Sequence, residues 1–225
     1  YWGIWDEPFL QFFAAKIGEM PQPFVASVFT LSSHHPFRVP EQYKDSLKDE
    51  GLFPLHKCIR YADLSLRRFF ETASRQPWYA NTIFILTADH TSAKRTHDVY
   101  KTDLGGFRVP ILIFDPSGEL PRGRMEGIAQ QTDIMPTMLN YLGAERPYIA
   151  FGKDLFATPA EDSWAFNWDK IPQYIQGDWL LQLDGEEGHV TALYNYKRDP
   201  LLKNNLAGKG IAEEAAMTRK ARAFI

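Results

Sequence analysis

The stretch Thr82-Ile83-Phe84-Ile85-Leu86-Thr87-Ala88-Asp89-His90 carries the strongest fold signal in the chain. Its beginning is a near-continuous apolar run, which is typical of a strand in a parallel sheet whose two faces are both covered by helices. Asp89 and His90 follow where the strand ends, and open α/β sheets bind their ligands at this edge. Neighbouring side chains of a regular strand point to opposite faces, whereas the turn after it lets both converge on one ion. The alternative is that Asp89 caps a turn beside a partly exposed His90.

Helices and strands alternate on both sides of this stretch. Apolar residues at a helical period predict the helices, and short apolar runs between Pro, Gly and polar residues predict the strands. The predicted elements are helices at 7–18, 55–74 and 132–143 and strands at 24–31, 82–88 and 110–114. This alternation predicts an α/β fold with a mainly parallel sheet flanked by helices, in which the three strands share one sheet.

The pattern changes after Phe156. Two apolar runs, 179–183 and 190–196, flank a Gly-containing polar turn and predict an antiparallel hairpin. A segment rich in Ala, Glu, Lys and Arg predicts a closing helix. We therefore expect an α/β portion over 1–156 and a small subdomain with a hairpin and a helix over 157–225.

Composition narrows the functional classes. The chain has 225 residues, 44% of them hydrophobic, and a formal net charge of −3. It has no basic run of the kind that marks nucleic-acid binding, and no apolar run approaches the roughly 18 residues of a membrane span. The single Cys58 excludes an intrachain disulfide and a cysteine zinc cluster. Because the chain opens with Tyr1 in what reads as the middle of a protein, we expect it to be part of a longer gene product.

A series of short motifs occurs in one order along nearly the whole chain. The motifs are Thr30-Leu31-Ser32-Ser33-His34-His35-Pro36-Phe37, Tyr61-Ala62-Asp63, Thr87-Ala88-Asp89-His90-Thr91, Phe107-Arg108-Val109-Pro110-Ile111, Asp133-Ile134-Met135-Pro136-Thr137, Gly152-Lys153-Asp154-Leu155-Phe156, and Asp199-Pro200 followed by Asn205-Leu206. Together they resemble the C-terminal part of the catalytic domain in the sulfatase and alkaline-phosphatase-like superfamily. The nearest resemblance is to the branch of lipoteichoic acid synthases and phosphoglycerol transferases.

The resemblance implies a metal site at Asp89 and His90. In that branch an Asp-His pair helps to hold a divalent ion, which would be Mn, Mg or Zn, or Ca in a true sulfatase. Such an ion lowers the pKa of a coordinated hydroxyl and neutralises charge on the oxygens of the transferred group. Cys58 lacks the following Pro and Arg of the formylglycine motif, so we interpret it as a core thiol.

Two other histidines are candidate substrate-binding residues. His34 follows the predicted strand 24–31 at the position where the resemblance places a histidine that contacts the substrate phosphate. His97 lies in a basic loop with Lys94 and Arg95, and cationic donors suit a tetrahedral anion. The alternatives are a solvated His34 and a surface charge cluster around His97, and His35 is the weaker candidate of its pair.

The resemblance also implies the activity of the whole protein. It implies a metal-dependent transferase of phosphoglycerol, or of a related phosphoryl group, acting on a lipid-linked or glycan ester at the extracytoplasmic face of the cell membrane, with membrane anchoring through upstream helices. The nucleophile and the first acidic ligand are expected upstream of Tyr1, so this chain alone should turn over neither phosphate nor sulfate esters. A sulfuric ester hydrolase and a noncatalytic binding module of the same fold remain the alternatives.

Overall fold

The computed structural model describes residues 3–48 and 53–225, which form two compact units. One unit comprises Tyr1–Ile83 with Phe114–Leu120, and the other comprises Phe84–Ile113 with Pro121–Ile225. Each unit has its own buried side chains. The division at residue 156 that the sequence suggests stays a prediction.

The first unit is built on two packed helices, α1 (Asp6–Gly18) and α2 (Leu55–Ala73), at nearly their predicted bounds. Phe13 of α1 stacks on Phe69 of α2, with ring centroids 6.2 Å apart. The buried positions of α2 recur every three or four residues, at Leu55, Cys58, Tyr61, Ser65, Phe69 and Ala73. This spacing places one stripe of the helix against α1, as the periodicity predicts.

Residues 24–31 form no strand, so the prediction of a strand there is wrong. Among the described residues they pair with no other segment, and Val25 and Phe29 are 95% and 61% exposed. The end of the segment is held by a side chain instead, because the buried carboxylate of Asp6 accepts hydrogen bonds from the backbone N–H groups of Leu31 and Ser32. A β ladder needs a second strand in register, and a local apolar run cannot supply one.

Strands β1 (Phe84–Thr87) and β2 (Ile111–Phe114) pair with each other inside the predicted runs 82–88 and 110–114. None of their residues is buried, and Leu112 is 56% exposed. The expectation that helices cover both faces of β1 stays a prediction. A sheet of only two strands buries little of either face.

Helix α3 (Ile134–Tyr141) follows a 3₁₀ turn at Gln131–Asp133, within the predicted helix 132–143. Pro136 lies in the first turn of α3, where a missing N–H group leaves no hydrogen bond unmade. Gly143 follows the helix with φ of +69°, a conformation that glycine adopts readily. The stop signal in the sequence is thus confirmed.

The second unit contains a four-stranded antiparallel sheet in the order β3-β4-β5-β6. The strands are Trp164–Trp168, Pro172–Gln176, Trp179–Leu183 and Val190–Asn195. The β5–β6 hairpin confirms the prediction for 179–196. Strands β3 and β4 are not among the predicted elements, although Gly177-Asp178 between β4 and β5 is a two-residue hairpin signal. Gly177 has φ of +55°, as such turns require.

The closing helix α4 (Ala212–Ala221) packs against β4 and β5 and confirms the prediction of a C-terminal helix. Its Met217 and Ala221 join a buried cluster with Tyr174, Leu181 and Leu193. A second cluster lies around Ala165, Ile175 and Leu180. No helix within 3–48 or 53–225 has both the length and the apolar content needed to cross a bilayer.

Tyr174 provides a test of this core. It is 2% exposed, and burial raises its pKa to about 12. In the unfolded chain a tyrosine titrates near pH 10, so the stabilising contribution is fully present below about pH 10 and is lost as pH rises toward 12. We expect the free energy of unfolding in urea to fall more steeply above pH 10 in the wild type than in Tyr174→Phe. Tyr148→Phe, at a position 45% exposed, is the control and should lose stability above pH 10 as steeply as the wild type. Equal slopes for all three proteins would contradict the prediction.

Candidate metal centre

Asp89 and His90 follow the end of β1 after one intervening residue, and the chain bends there. The bend directs both side chains to one place. Asp89 Oδ1 accepts a hydrogen bond of 2.8 Å from the backbone N–H of His90, while its Oδ2 lies 3.2 Å from His90 Nε2. The carboxylate thus caps the turn, as the alternative interpretation expects, and still presents its second oxygen to the imidazole.

The other ring nitrogen of His90 indicates its tautomer. Nδ1 lies 2.8 Å from the carbonyl oxygen of Thr91, which can only accept, so Nδ1 carries the hydrogen. A second-sphere bond of this kind is what metal-bound histidines usually make. Nε2 then faces the Asp89 carboxylate, and a proton or a metal ion must lie between these two acceptor atoms.

The geometry of the pair fits a divalent ion. Two ligand atoms that bind one ion at about 2.1 Å, roughly 100° apart, lie about 3.2 Å from each other, which matches the distance between Oδ2 and Nε2. One carboxylate oxygen and one imidazole nitrogen suit Mn, Zn or Mg. The side chains of Asp89 and His90 are 50% and 71% exposed, so the site is open to solvent. Within the described ranges no three His, Cys, Asp or Glu side chains form a group that could hold a metal, and the pair alone leaves coordination positions unfilled.

His97 lies in the same unit as the pair, on the exposed loop that leads into the 3₁₀ turn Asp98–Lys101. In the part of the chain that the structure describes, no hydrogen bond or ion pair joins its side chain to Asp89 or His90. Lys101 is bonded to Asp98 at 2.8 Å, and this bond holds the pKa of Asp98 below its usual range. The positive charge of Lys101 is thereby partly balanced.

Arg95 is the cation of this loop that is best held. Its Nε donates to the carbonyl of Ser92 at 3.0 Å, and one terminal nitrogen donates to Thr91 Oγ1 at 3.1 Å. Thr91 Oγ1 in turn donates to the carbonyl of Gly106 at 2.6 Å. These bonds fix the guanidinium of Arg95 beside Thr91. The spacing of residues in the sequence does not specify this orientation.

His34 belongs to the other unit, in the exposed turn after residues 24–31. Its Nδ1 lies 2.9 Å from the carbonyl oxygen of His35 and 3.1 Å from His35 Nδ1. Both histidines line a cavity of about 200 Å³ with Trp5, Leu31 and Arg38 among its other walls. The structure therefore places His34 and His35 at one cavity rather than distinguishing them by environment.

Gln131, which no sequence motif indicates, lies at the Asp-His pair. Nε2 of Gln131 donates to the carbonyl oxygens of Ala88 at 2.7 Å and Asp89 at 3.0 Å. The two partners are 43 and 42 residues away in sequence. No local pattern signals such a contact, although Gln131 lies only two residues before the motif that starts at Asp133.

The motif residues Asp133 and Lys153 form a buried ion pair behind this turn. Lys153 Nζ lies 2.6 Å from Asp133 Oδ2 and donates to the carbonyl of Trp164 at 2.7 Å. The side chains of Lys153 and Asp133 are 8% and 0% exposed. Burial lowers the pKa of Lys153, and the hydrogen bond and charge of Asp133 oppose that shift. The pair links the segment before α3 to β3.

The chain is similar in sequence to proteins of a known family. A family model described as Sulfatase matches residues 1–144. Lipoteichoic acid synthase 1 of Bacillus subtilis is 29% identical over 201 residues, which are 80% of this chain and 30% of that protein. Lipoteichoic acid synthase of Staphylococcus saprophyticus is 26% identical over 193 residues, or 78% of this chain and 30% of that protein. The chain thus spans about 30% of the length of these relatives.

The fold has solved counterparts. A protein in the alkaline phosphatase superfamily from Vibrio parahaemolyticus matches 99% of this chain and 53% of its own, with a TM-score of 0.79 and 26% identity. The structure of yidJ from Bacteroides fragilis matches 97% of this chain and 57% of its own, with a TM-score of 0.70 and 17% identity, and shows the fold alone. The alkaline-phosphatase-like α/β fold that the motifs imply is confirmed. Because the family model covers 144 of the 225 residues, the chain belongs to the sulfatase family, within the alkaline-phosphatase-like superfamily.

Proposed function

We propose that this chain supplies metal and substrate ligands to a metal-dependent enzyme that transfers phosphoglycerol or a related phosphoryl group. The observation that carries the proposal is the convergence of Asp89 Oδ2 and His90 Nε2 at 3.2 Å, with His90 Nδ1 bonded to the Thr91 carbonyl. The substrate is a lipid-linked or glycan ester, and the site of action is the extracytoplasmic face of the cell membrane, with anchoring outside this chain.

The roles of the chain's own residues follow from their chemistry. When bound, the divalent ion would activate a hydroxyl nucleophile and neutralise charge on the transferred group. Asp89 offers a carboxylate oxygen to it, and His90 offers Nε2 in the tautomer that its bond to Thr91 selects. His34 and His97 would donate hydrogen bonds to oxygens of the substrate, since cationic and imidazole donors stabilise tetrahedral anions.

The remaining parts of the site are proposed to lie outside the chain. An acidic ligand and the nucleophile would complete the coordination of the ion, because a carboxylate and an imidazole leave a divalent site under-coordinated. A threonine nucleophile would favour phosphoryl transfer, and a modifiable Cys or Ser would favour sulfate ester hydrolysis.

Sulfate ester hydrolysis is the second candidate, and the match to the Sulfatase model favours it. The names of the relatives at 29% and 26% identity favour phosphoglycerol transfer instead. The test is to supply the full-length gene product and Mn²⁺ with a phosphoglycerol lipid and, separately, with an aryl sulfate. Release of diacylglycerol without release of sulfate supports the proposal, sulfate release supports the second candidate, and neither product supports a noncatalytic module.

His34 should contribute measurably to turnover of the phosphoglycerol substrate. Losing a hydrogen bond to a charged oxygen costs on the order of 1.5 to 3 kcal/mol, so we expect His34→Ala to lower kcat/KM by about 10- to 100-fold. His35→Ala is the matched control, because His35 lines the same cavity and is also exposed. This variant should lower kcat/KM much less. If both variants kept near-normal kcat/KM with unchanged thermal unfolding, His34 would be a solvated turn residue.

A further inference from the structure

The two peptide groups next to the Asp-His pair are held by one distant side chain. Nε2 of Gln131 donates to the carbonyl oxygens of both Ala88 and Asp89, at 2.7 and 3.0 Å. These two carbonyls belong to the peptide planes on either side of the Asp89 Cα. Fixing both planes fixes the direction in which the Asp89 side chain leaves the backbone, and it fixes the start of His90.

The turn that carries Gln131 is itself rigidly held. The side chain of Gln130 and the carboxylate of Asp133 cap the 3₁₀ turn Gln131–Asp133 reciprocally. Asp133 is fully buried, and Lys153 donates to it from both its backbone N–H and its Nζ. Side chains fixed in this way can position others, because their own conformations are restrained by packing and hydrogen bonds.

Backbone packing restrains the same turn. A Cβ atom added at Gly152 would lie 2.2 Å from the carbonyl oxygen of Thr132 and 2.6 Å from the backbone nitrogen of Asp133. Such distances leave no room for a side chain, so the chain at Gly152 lies directly against the turn. Gln131 therefore projects from a backbone that is fixed on two sides.

We infer that Gln131 is a positioning residue that holds Asp89 and His90 in the geometry of a metal-binding pair. The inference rests on the metal site proposed above. Gln131 is exposed, and its amide donates hydrogen bonds to two backbone oxygens of this strand end. We therefore expect Gln131 to restrict the motion of Asp89 and His90 more than it stabilises the fold.

The experiment uses residues 1–225 with three substitutions. Gln131→Ala removes both hydrogen bonds. Gln131→Glu keeps the shape of the side chain but replaces the amide with a carboxylate, which cannot donate a hydrogen bond to either carbonyl. Thr132→Ala is the matched control, since Thr132 is the exposed neighbour in the same turn. The first readout, taken without metal, is the ¹⁵N order parameter of the Asp89 and His90 amides. We expect it to fall from about 0.85 to below about 0.6 in both Gln131 variants and to stay unchanged in Thr132→Ala.

The second readout is the affinity for Mn²⁺, followed by the electron paramagnetic resonance signal of the free ion. Losing a second-sphere partner costs about 10- to 100-fold in metal affinity, so we expect about a 10-fold loss in Gln131→Ala at unchanged Tm. If order parameters and affinity in the Gln131 variants matched those of Thr132→Ala, the inference would be overturned. If the wild type bound no Mn²⁺ at Asp89, the proposed metal site would fail, whereas the metal-free order parameters would still decide whether Gln131 positions the pair.

Discussion

Replacing Asp89 with alanine should abolish binding of Mn²⁺ to this chain. Asp89 Oδ2 and His90 Nε2 are the two converging donor atoms, and a single imidazole on an exposed turn retains almost no affinity for a divalent ion. For the wild-type chain we expect a Kd on the order of 10⁻⁴ M or weaker, in the range of the weakest protein cation sites. Under the metal-dependent mechanism proposed above for the full-length protein, loss of the ion would remove several kcal/mol of charge stabilisation, and kcat/KM should fall by about three decades or more.

Titration calorimetry of residues 1–225 with Mn²⁺ checks the first part, and a steady-state assay of the full-length gene product checks the second. Asp98→Ala is the matched control, because it removes an exposed carboxylate of the same unit that bonds Lys101. It should leave the affinity for Mn²⁺ unchanged. A submicromolar affinity that survives Asp89→Ala would show that the ion binds elsewhere in the chain.

Replacing Lys153 with methionine should destabilise the fold by about 3 to 5 kcal/mol, because removal of one partner leaves a buried charge without its counter-ion. The remaining partner, Asp133, has a side chain that is 0% exposed. The variant also loses the bond from Nζ to the carbonyl of Trp164 and the position of the ammonium 5.3 Å from the centre of the Trp164 ring. Urea unfolding followed by circular dichroism measures the loss.

Two further variants identify the cause of that loss. Lys170→Met changes an exposed lysine and should alter the free energy of unfolding by no more than about 0.5 kcal/mol. Asp133→Asn in the Lys153→Met background removes the unpaired charge while its amide oxygen still accepts a hydrogen bond, so part of the stability should return. The prediction is contradicted if Lys153→Met costs no more than Lys170→Met.

The ion pair has a consequence for the proposed site. Asp133 caps the turn that carries Gln131, and Gln131 holds the carbonyls of Ala88 and Asp89. Partial unfolding around Lys153→Met would therefore disorder the Asp-His pair as well. A weaker affinity for Mn²⁺ in that variant has to be interpreted together with its stability, whereas Gln131→Ala isolates the positioning effect.

Elements whose signals are local can be predicted from the amino-acid sequence alone. Helices α1 and α2, the β5–β6 hairpin and the closing helix follow from periods and turn residues within short windows, and the structure confirms them. The position of Asp89 and His90 after β1 is local too. A strand end frees two neighbouring side chains from pointing to opposite faces, and this allows them to converge.

Features that depend on partners far apart in sequence become visible only in the folded chain. Residues 24–31 have the composition of a strand but no ladder partner in the described residues, and pairing is a property of two segments. Neither the bonds of Gln131 to Ala88 and Asp89 nor the burial of Lys153 with Asp133 can be recognised from spacing, because the partners are 42, 43 and 20 residues apart. Sequence patterns record which face of an element is apolar, whereas the arrangement of hydrogen bonds around a site is set when distant elements pack together.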